Sequence, residues 1–228
     1  MNAPIITLDN VSKTYEAIGG GVAQTVLNNI DLDIYPGETI GIVGPSGSGK
    51  STLLNIMGTL DTPTSGTIYF DGKDLADRNA SASAAFRNRH IGFVFQSHHL
   101  LPQCSVLDNV LLPTLAGHNL SSKEALRLRA IDLLSKVGLQ DSLNYLPAHL
   151  SGGESQRVAL VRSLINKPKV ILADEPTGSL DNENARQLMN LLIEINKNLN
   201  TTLVVVSHWD KMASFVDKTV RLENGTIF

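Results

Sequence analysis

The chain has 228 residues, 42% of them hydrophobic, a formal net charge of −3 and a single cysteine, Cys104. That length exceeds the usual single-domain span of about 100–200 residues, so one elaborated domain and two small lobes are both open, with ample apolar residues for a core. The charge and a pI near 6.0 give no sign of a nucleic-acid-binding surface, and one cysteine excludes an intrachain disulfide and fits a reducing cytosol.

No apolar run reaches the roughly 18 residues that cross a bilayer; Thr202-Leu203-Val204-Val205-Val206 is among the longest. Met1-Asn2-Ala3-Pro4 does not open a charged, then apolar, secretory leader. The expectation is a chain soluble by itself that reaches a membrane only through a partner.

In chain order, Ile5 to Leu8 and Val26 to Ile34 are rich in β-formers, the second alternating as Leu27, Ile30, Leu32 and Ile34 with polar residues between. Ala17-Ile18-Gly19-Gly20-Gly21 reads as a hairpin loop and Pro36-Gly37 as a turn, which predicts an antiparallel edge sheet. Tyr15 closes the first run, either as a flat side chain for an adenine or as an ordinary strand aromatic.

The β-rich run Thr39-Ile40-Gly41-Ile42-Val43 leads into Gly44-Pro45-Ser46-Gly47-Ser48-Gly49-Lys50-Ser51 and the helical segment Thr52-Leu53-Leu54-Asn55-Ile56-Met57. Gly, four variable residues, then Gly-Lys-Ser between strand and helix is the phosphate-binding loop in its confirming context. Backbone N–H groups wrap a polyphosphate only where the chain turns tightly without side chains in the way, which Gly44, Gly47 and Gly49 allow. The helix start adds about half a positive charge, Lys50 a full one for the β- and γ-phosphates, and the Ser51 hydroxyl suits Mg²⁺. The alternative is a Gly/Ser-rich surface loop before a helix.

After that helix, Pro63-Thr64-Ser65-Gly66 marks a turn, Thr67 to Phe70 a strand and Asp71-Gly72 another turn. Residues 74–90 read as a polar loop and short helix with Arg87 and Arg89, and Ile91 to Phe95 as a buried strand closing on Gln96. From Ser97 to about Lys167 the pattern turns helical, over Ser105 to Leu112, over Ser122 to Val137 with Leu128, Ile131, Leu134 and Val137 on one face, and over Gly152 to Ile165. Strands at Lys169 to Ala173, Thr201 to Val206 and Lys218 to Leu222 and a helix at 182–198 complete an α/β chain with a mainly parallel sheet.

Further stations carry chemistry. Asp174 and Glu175 follow an apolar strand, so the strand delivers two carboxylates to the crevice where open α/β sheets bind ligands. Asp174 suits a Mg²⁺ shell, and Glu175 a proton acceptor for water attacking a γ-phosphate; an Asp-Glu pair is otherwise usually solvated surface. Ser151 and Glu154 form a capping box, and Gly152 and Gly153 between them bare backbone N–H groups to a second anion. His208, at the end of a buried strand, is as a lone histidine more often a hydrogen-bonding residue than a catalyst. The adjacent His98-His99 lacks a third ligand for a metal.

The phosphate loop, Gln96, Leu150-Ser151-Gly152-Gly153-Glu154, Asp174-Glu175, Ser179-Leu180-Asp181 and His208 occur in the order of an ABC-transporter nucleotide-binding subunit, and the chain resembles that family from Ile5 to Phe228. The resemblance implies one nucleotide-binding domain over residues 5–228: a phosphate-loop NTPase (RecA-like) core, an N-terminal antiparallel β subdomain and an inserted helical subdomain at about 97–167. It implies a homodimer in the ATP-bound state, with each ATP between the phosphate loop of one chain and the Ser151-Gly152-Gly153 helix start of the other. By position, Tyr15 is similar to the adenine-stacking residue, Glu175 to the catalytic base, His208 to the γ-phosphate switch and Asp181 to the cross-dimer contact. Gln96 is similar to the Mg²⁺ and permease sensor beside Ser51 and Asp174; Gly44, Pro45, Ser46, Gly47, Ser48, Gly49, Lys50, Ser51, Thr52, Ser151, Gly152, Gly153 and Glu154 fall to ATP. Ser155, where many members carry a larger polar residue, and Trp209, where aspartate is common, depart from the pattern.

Leu60-Asp61-Thr62-Pro63-Thr64-Ser65-Gly66, Phe86 to Gln96 and His98-His99-Leu100-Leu101-Pro102 resemble the branch containing LolD, MacB and FtsE, the last run most resembling LolD members. That resemblance implies a peripheral subunit on the cytoplasmic face of the inner membrane, bound to a LolC/LolE-like or MacB/FtsX-like permease and not to nucleic acid, driving lipoprotein release. Efflux, cell division, a soluble ABC protein of translation or DNA repair, and a nucleotide clamp that barely hydrolyses are the alternatives.

Overall fold

The computed structural model describes residues 3–16, 22–76, 78–116 and 122–228, with Asp210 as backbone alone. The expected hairpin loop Ala17 to Gly21 and the opening Met1-Asn2 lie outside these. The chain begins with β1 (Ile6–Tyr15) and β2 (Gln24–Ile34), paired antiparallel. The first strand closes at Tyr15 as expected, and within it Asn10, with φ 49°, forms a bulge that absorbs the break in alternation after Leu8. Asn29, with φ 48°, does the same in β2, which is how Leu27 and Ile30, three residues apart, both reach the core.

Next come β3 (Thr39–Val43), α1 (Lys50–Met57), β4 (Ser65–Phe70), β5 (Lys73–Asp74), α2 (Ala80–His90) and β6 (Ile91–Phe95). Helices α3 (Val106–Leu115), α4 (Lys123–Lys136) and α5 (Gly152–Leu164) then lie between β6 and β7 (Val170–Asp174). The chain closes with α6 (Asn182–Leu199), β8 (Thr202–Ser207), β9 (Lys218–Glu223) and β10 (Thr226–Ile227). The antiparallel sheet runs β2-β1-β4-β5, and the second β10-β9-β3-β8-β7-β6, parallel except for β10. Every residue of β8 is buried, as in a sheet covered on both faces.

One expectation about packing fails. Leu128 of α4 is 59% exposed, whereas Ala130, Leu133 and Leu134 are buried. Helical spacing alone admits two overlapping stripes on this short helix, and packing selects the one facing α5 and α3.

Register aligns the chemistry. Val43 pairs with Ser207, Val206 with Asp174, and Asp174 with Phe95. The residue after each strand is therefore at the same carboxyl edge: Gly44, His208, Glu175 and Gln96. Four stations far apart in sequence become neighbours because parallel strands end together.

Candidate active site

The loop leaving β3 enters α1 through Gly49, whose φ of 100° favours glycine. A Cβ on Gly44 would lie 2.0 Å from the Leu222 carbonyl oxygen, and one on Gly49 2.9 Å from that of Val26. At these two positions close approach of β9 and β2 demands glycine, a constraint separate from clearance for phosphate. Helix α1 has no side-chain cap, so its first-turn N–H groups are left for an anion.

Lys50 is buried beneath the loop, its Nζ donating to the Gly44 and Pro45 carbonyl oxygens at 2.9 Å each. Ser51 Oγ donates to Asp174 Oδ1 at 3.0 Å. Burial pushes the Asp174 carboxyl above the usual carboxylate range, aided by the charge of Glu175 and opposed by the Ser51 bond and Lys50.

Glu175 adopts φ 46°, a left-handed conformation uncommon outside glycine, with its N–H donating to the Val206 carbonyl at 2.9 Å. Its Oε2 accepts from Ser207 Oγ at 3.1 Å and from the His208 backbone N–H at 3.2 Å, and lies 2.9 Å from His208 Nδ1. A cleft of about 380 Å³ is lined by Ser46, Gly47, Gly49, Lys50, Ser51, Thr52, Gln96, Glu175 and His208. A Cβ at Gly178 would meet Gln96 Nε2 at 2.8 Å, so the turn after Glu175 packs against this amide.

The remaining candidates lie elsewhere. Ser151 caps α5 in a complete capping box, accepting from the Glu154 N–H while Glu154 Oε2 accepts from the Ser151 N–H at 2.8 Å and from Ser151 Oγ at 2.7 Å. These bonds, the backbone one first, hold the Glu154 carboxyl below its ordinary value. Gly153 lies against Asn184 of α6, whose cap is Asp181, so the starts of α5 and α6 form one exposed patch. None of Ser151, Gly152, Gly153, Glu154 or Asp181 lines the cleft with Lys50. Tyr15 is likewise outside it, at the end of β1, and bonds to Asp61.

A model of the ABC transporter family matches residues 27–178. The chain belongs to the ABC transporter family. It is an ATP-binding, ATP-hydrolysing subunit of that family. This ABC ATPase is 46% identical to the "Lipoprotein-releasing system ATP-binding protein LolD" of Psychrobacter arcticus, over 97% of this chain and 96% of that one. It is 47% identical to the protein of the same name from Bacteroides thetaiotaomicron, over 98% and 99% of the two chains. Among solved structures, the ATP-binding cassette MJ0796, a dimer in a post-hydrolysis state bound to ADP and Pi, matches with a TM-score of 0.88 and 41% identity, over 97% and 96% of the two chains.

Reading residue types along the ABC ATPase misses two polar side chains. Ser207 bonds Glu175 and also accepts from the Trp209 N–H at 3.0 Å; a serine ending a buried apolar run was the available signal. Gln156, 1% exposed, donates to the Phe95 carbonyl at 2.8 Å, tying α5 to the end of β6 beside Gln96. The His98-His99 run has a backbone role, both carbonyls accepting from Arg162 at 2.6 Å.

Proposed function

We propose that two copies of this ABC ATPase close around two ATP molecules and thereby drive a membrane permease that releases lipoproteins. The observation that carries this reading is the split of the anion-binding elements. One lip holds the phosphate loop, Gln96, Glu175 and His208; the other, the exposed helix start at Ser151 with Asp181 beside it, lies outside that cleft. A head-to-tail pair brings the lips together, as the dimeric state of MJ0796 and the LolD relatives support. We take residues 5–228 as one nucleotide-binding domain with its helical insertion at about 97–167.

In the closed pair, Lys50 exchanges its carbonyl partners for the β- and γ-phosphates, and the α1 N–H groups surround them. Tyr15 stacks on adenine. The partner copy's Ser151 and Gly152-Gly153 N–H groups meet the γ-phosphate from the other side, with Asp181 at the seam. Glu175 orients the attacking water and accepts its proton, and His208, on the same carboxylate oxygen, senses the γ-phosphate. Ser207 holds that carboxylate in line.

The Ser51 hydroxyl and the Asp174 carboxylate, already 3.0 Å apart, are hard oxygen donors that fit Mg²⁺, with the Gln96 amide oxygen as a third. Held by these three oxygens, Mg²⁺ would supply charge neutralisation for the phosphates. Removing it with millimolar chelator is expected to abolish turnover; unchanged phosphate release would overturn the assignment of Ser51, Gln96 and Asp174.

No helix among the described residues is long and apolar enough to cross a membrane; in this reading, which the LolD relatives support, the permease supplies the span and this subunit sits on its cytoplasmic side. A groove of about 380 Å³, lined by Leu60, Phe93, Phe95, Pro113 and Ala116 among others, suits an amphipathic helix of the permease. Its wall, β6, leads directly into Gln96 and so joins the groove to the nucleotide cleft. Purification from membranes is expected to bring down a permease of lipoprotein-releasing type, and Leu60→Glu, at a 47% exposed position, to lose it. Recovery of an efflux or cell-division partner instead would overturn the cargo reading.

A further inference from the structure

Lys13 stands near the end of β1, yet only 9% of it is exposed, an unusual state for a lysine unless it is paired. Its Nζ donates to Asp61 Oδ1 at 2.6 Å and to the Thr62 carbonyl at 2.7 Å. The other carboxylate oxygen of Asp61 accepts from the Tyr15 hydroxyl at 2.8 Å, and Oδ1 also accepts from the Thr62 N–H at 2.7 Å. The same ammonium lies 4.9 Å from the centre of the Tyr15 ring, within cation–π range. Burial pushes the Asp61 carboxyl up, but the bonds from Lys13, Tyr15 and Thr62 together hold it below its ordinary value.

Tyr15 is 43% exposed, and an untethered tyrosine at a strand end would sample several rotamers. Here the hydroxyl is anchored and the ammonium sits over the ring, leaving the rest of the aromatic surface to solvent. The anchor belongs to the segment immediately after α1, whose first turn carries Lys50 and Ser51. The Asp61 N–H donates to the Asn55 carbonyl of α1 at 3.3 Å, so the helix that begins at the phosphate loop also carries the segment that anchors the tyrosine.

We propose that Asp61, clamped by Lys13, is a positioning residue that holds the Tyr15 ring ready for the base of the nucleotide at a set distance from the phosphate loop. This rests on the reading of Tyr15 as the adenine-stacking residue. Holding the ring in advance removes the ordering cost of one side chain from binding, so loss of the anchor weakens ATP by roughly three- to tenfold. Inorganic tripolyphosphate, which has no base, gains nothing from the anchor.

Calorimetric titration of both ligands in Mg²⁺ against wild type, Asp61→Ala, Tyr15→Phe, the double variant and Tyr15→Ala tests this. Asp61→Ala and Tyr15→Phe are each expected to weaken ATP by that factor and leave tripolyphosphate unchanged, and the double variant to bind no worse than either single one. Tyr15→Phe keeps a stacking ring and removes one exposed hydroxyl, so it reports even if Asp61→Ala fails to fold. Equal weakening of both ligands, or additive losses in the double variant, would make the cluster merely structural. Loss of ATP affinity in Tyr15→Ala with none in Asp61→Ala or Tyr15→Phe leaves stacking standing and refutes the positioning role. An unchanged ratio of the two affinities in Tyr15→Ala refutes the stacking reading itself.

Discussion

Glu175→Gln is expected to bind ATP as the wild type does, to release phosphate about 10²–10⁴-fold more slowly, and to accumulate as a closed dimer. Glutamine keeps the volume and an acceptor oxygen, so Ser207 Oγ and the His208 N–H, at 3.1 and 3.2 Å in the wild type, still have a partner. The turn at φ 46° is then preserved. What disappears is the capacity to take a proton from water. The substitution also removes a negative charge beside Asp174 and the incoming γ-phosphate, which favours closure. Phosphate release measured alongside light scattering in ATP separates the two effects. A variant that turns over at the wild-type rate removes Glu175 from the role of base, and one that stays monomeric in saturating ATP removes the trapped dimer.

Glu175 was legible before any coordinates because the sheet makes a simple rule. A short continuous apolar run bounded by turn signals fits a buried strand, and the polar residues that close it or follow it lie at the carboxyl edge of the sheet. Gln96, Asp174-Glu175 and His208 obey that rule, and the phosphate loop states its own conformation through its glycines. What stayed hidden depends on contacts between distant segments. Gly44 is required by the Leu222 carbonyl, and Lys13 is paired with Asp61, forty-eight positions away. The single-residue bulges at Asn10 and Asn29 are invisible to a strict alternation test. On α4 the apolar residues outnumber the face available, so Leu128 was assigned to a core that has no room for it. Gln156 stays hidden because a glutamine announces nothing until its partner is known, and the one signal at Ser207 is its place at the end of a buried apolar run.

The split between the two lips of the site leads to the sharpest expectation. Lys50→Ala removes the charge beneath the phosphate loop, and Gly153→Asp puts an anion on the helix start that is to face the partner's ATP. The second change is tolerated by the chain itself. A Cβ at Gly153 meets nothing closer than Asn184 Oδ1 at 3.5 Å, and an acidic residue in the first turn of a helix is favoured by the helix dipole. Each variant alone is expected to be inactive, because every site in a symmetric dimer then carries the defect. Mixed in equal amounts, half the dimers are hybrids, and each hybrid has one site made of two intact lips and one made of two defective ones. If the sites work independently, the mixture recovers about a quarter of wild-type turnover. Steady-state phosphate release across mixing ratios measures this directly, and the recovery peaks at equal amounts. A Gly153→Asp protein that is fully active alone would remove the exposed helix start at Ser151 from hydrolysis, and a mixture that stays at background would overturn independent sites each built from the lips of two chains.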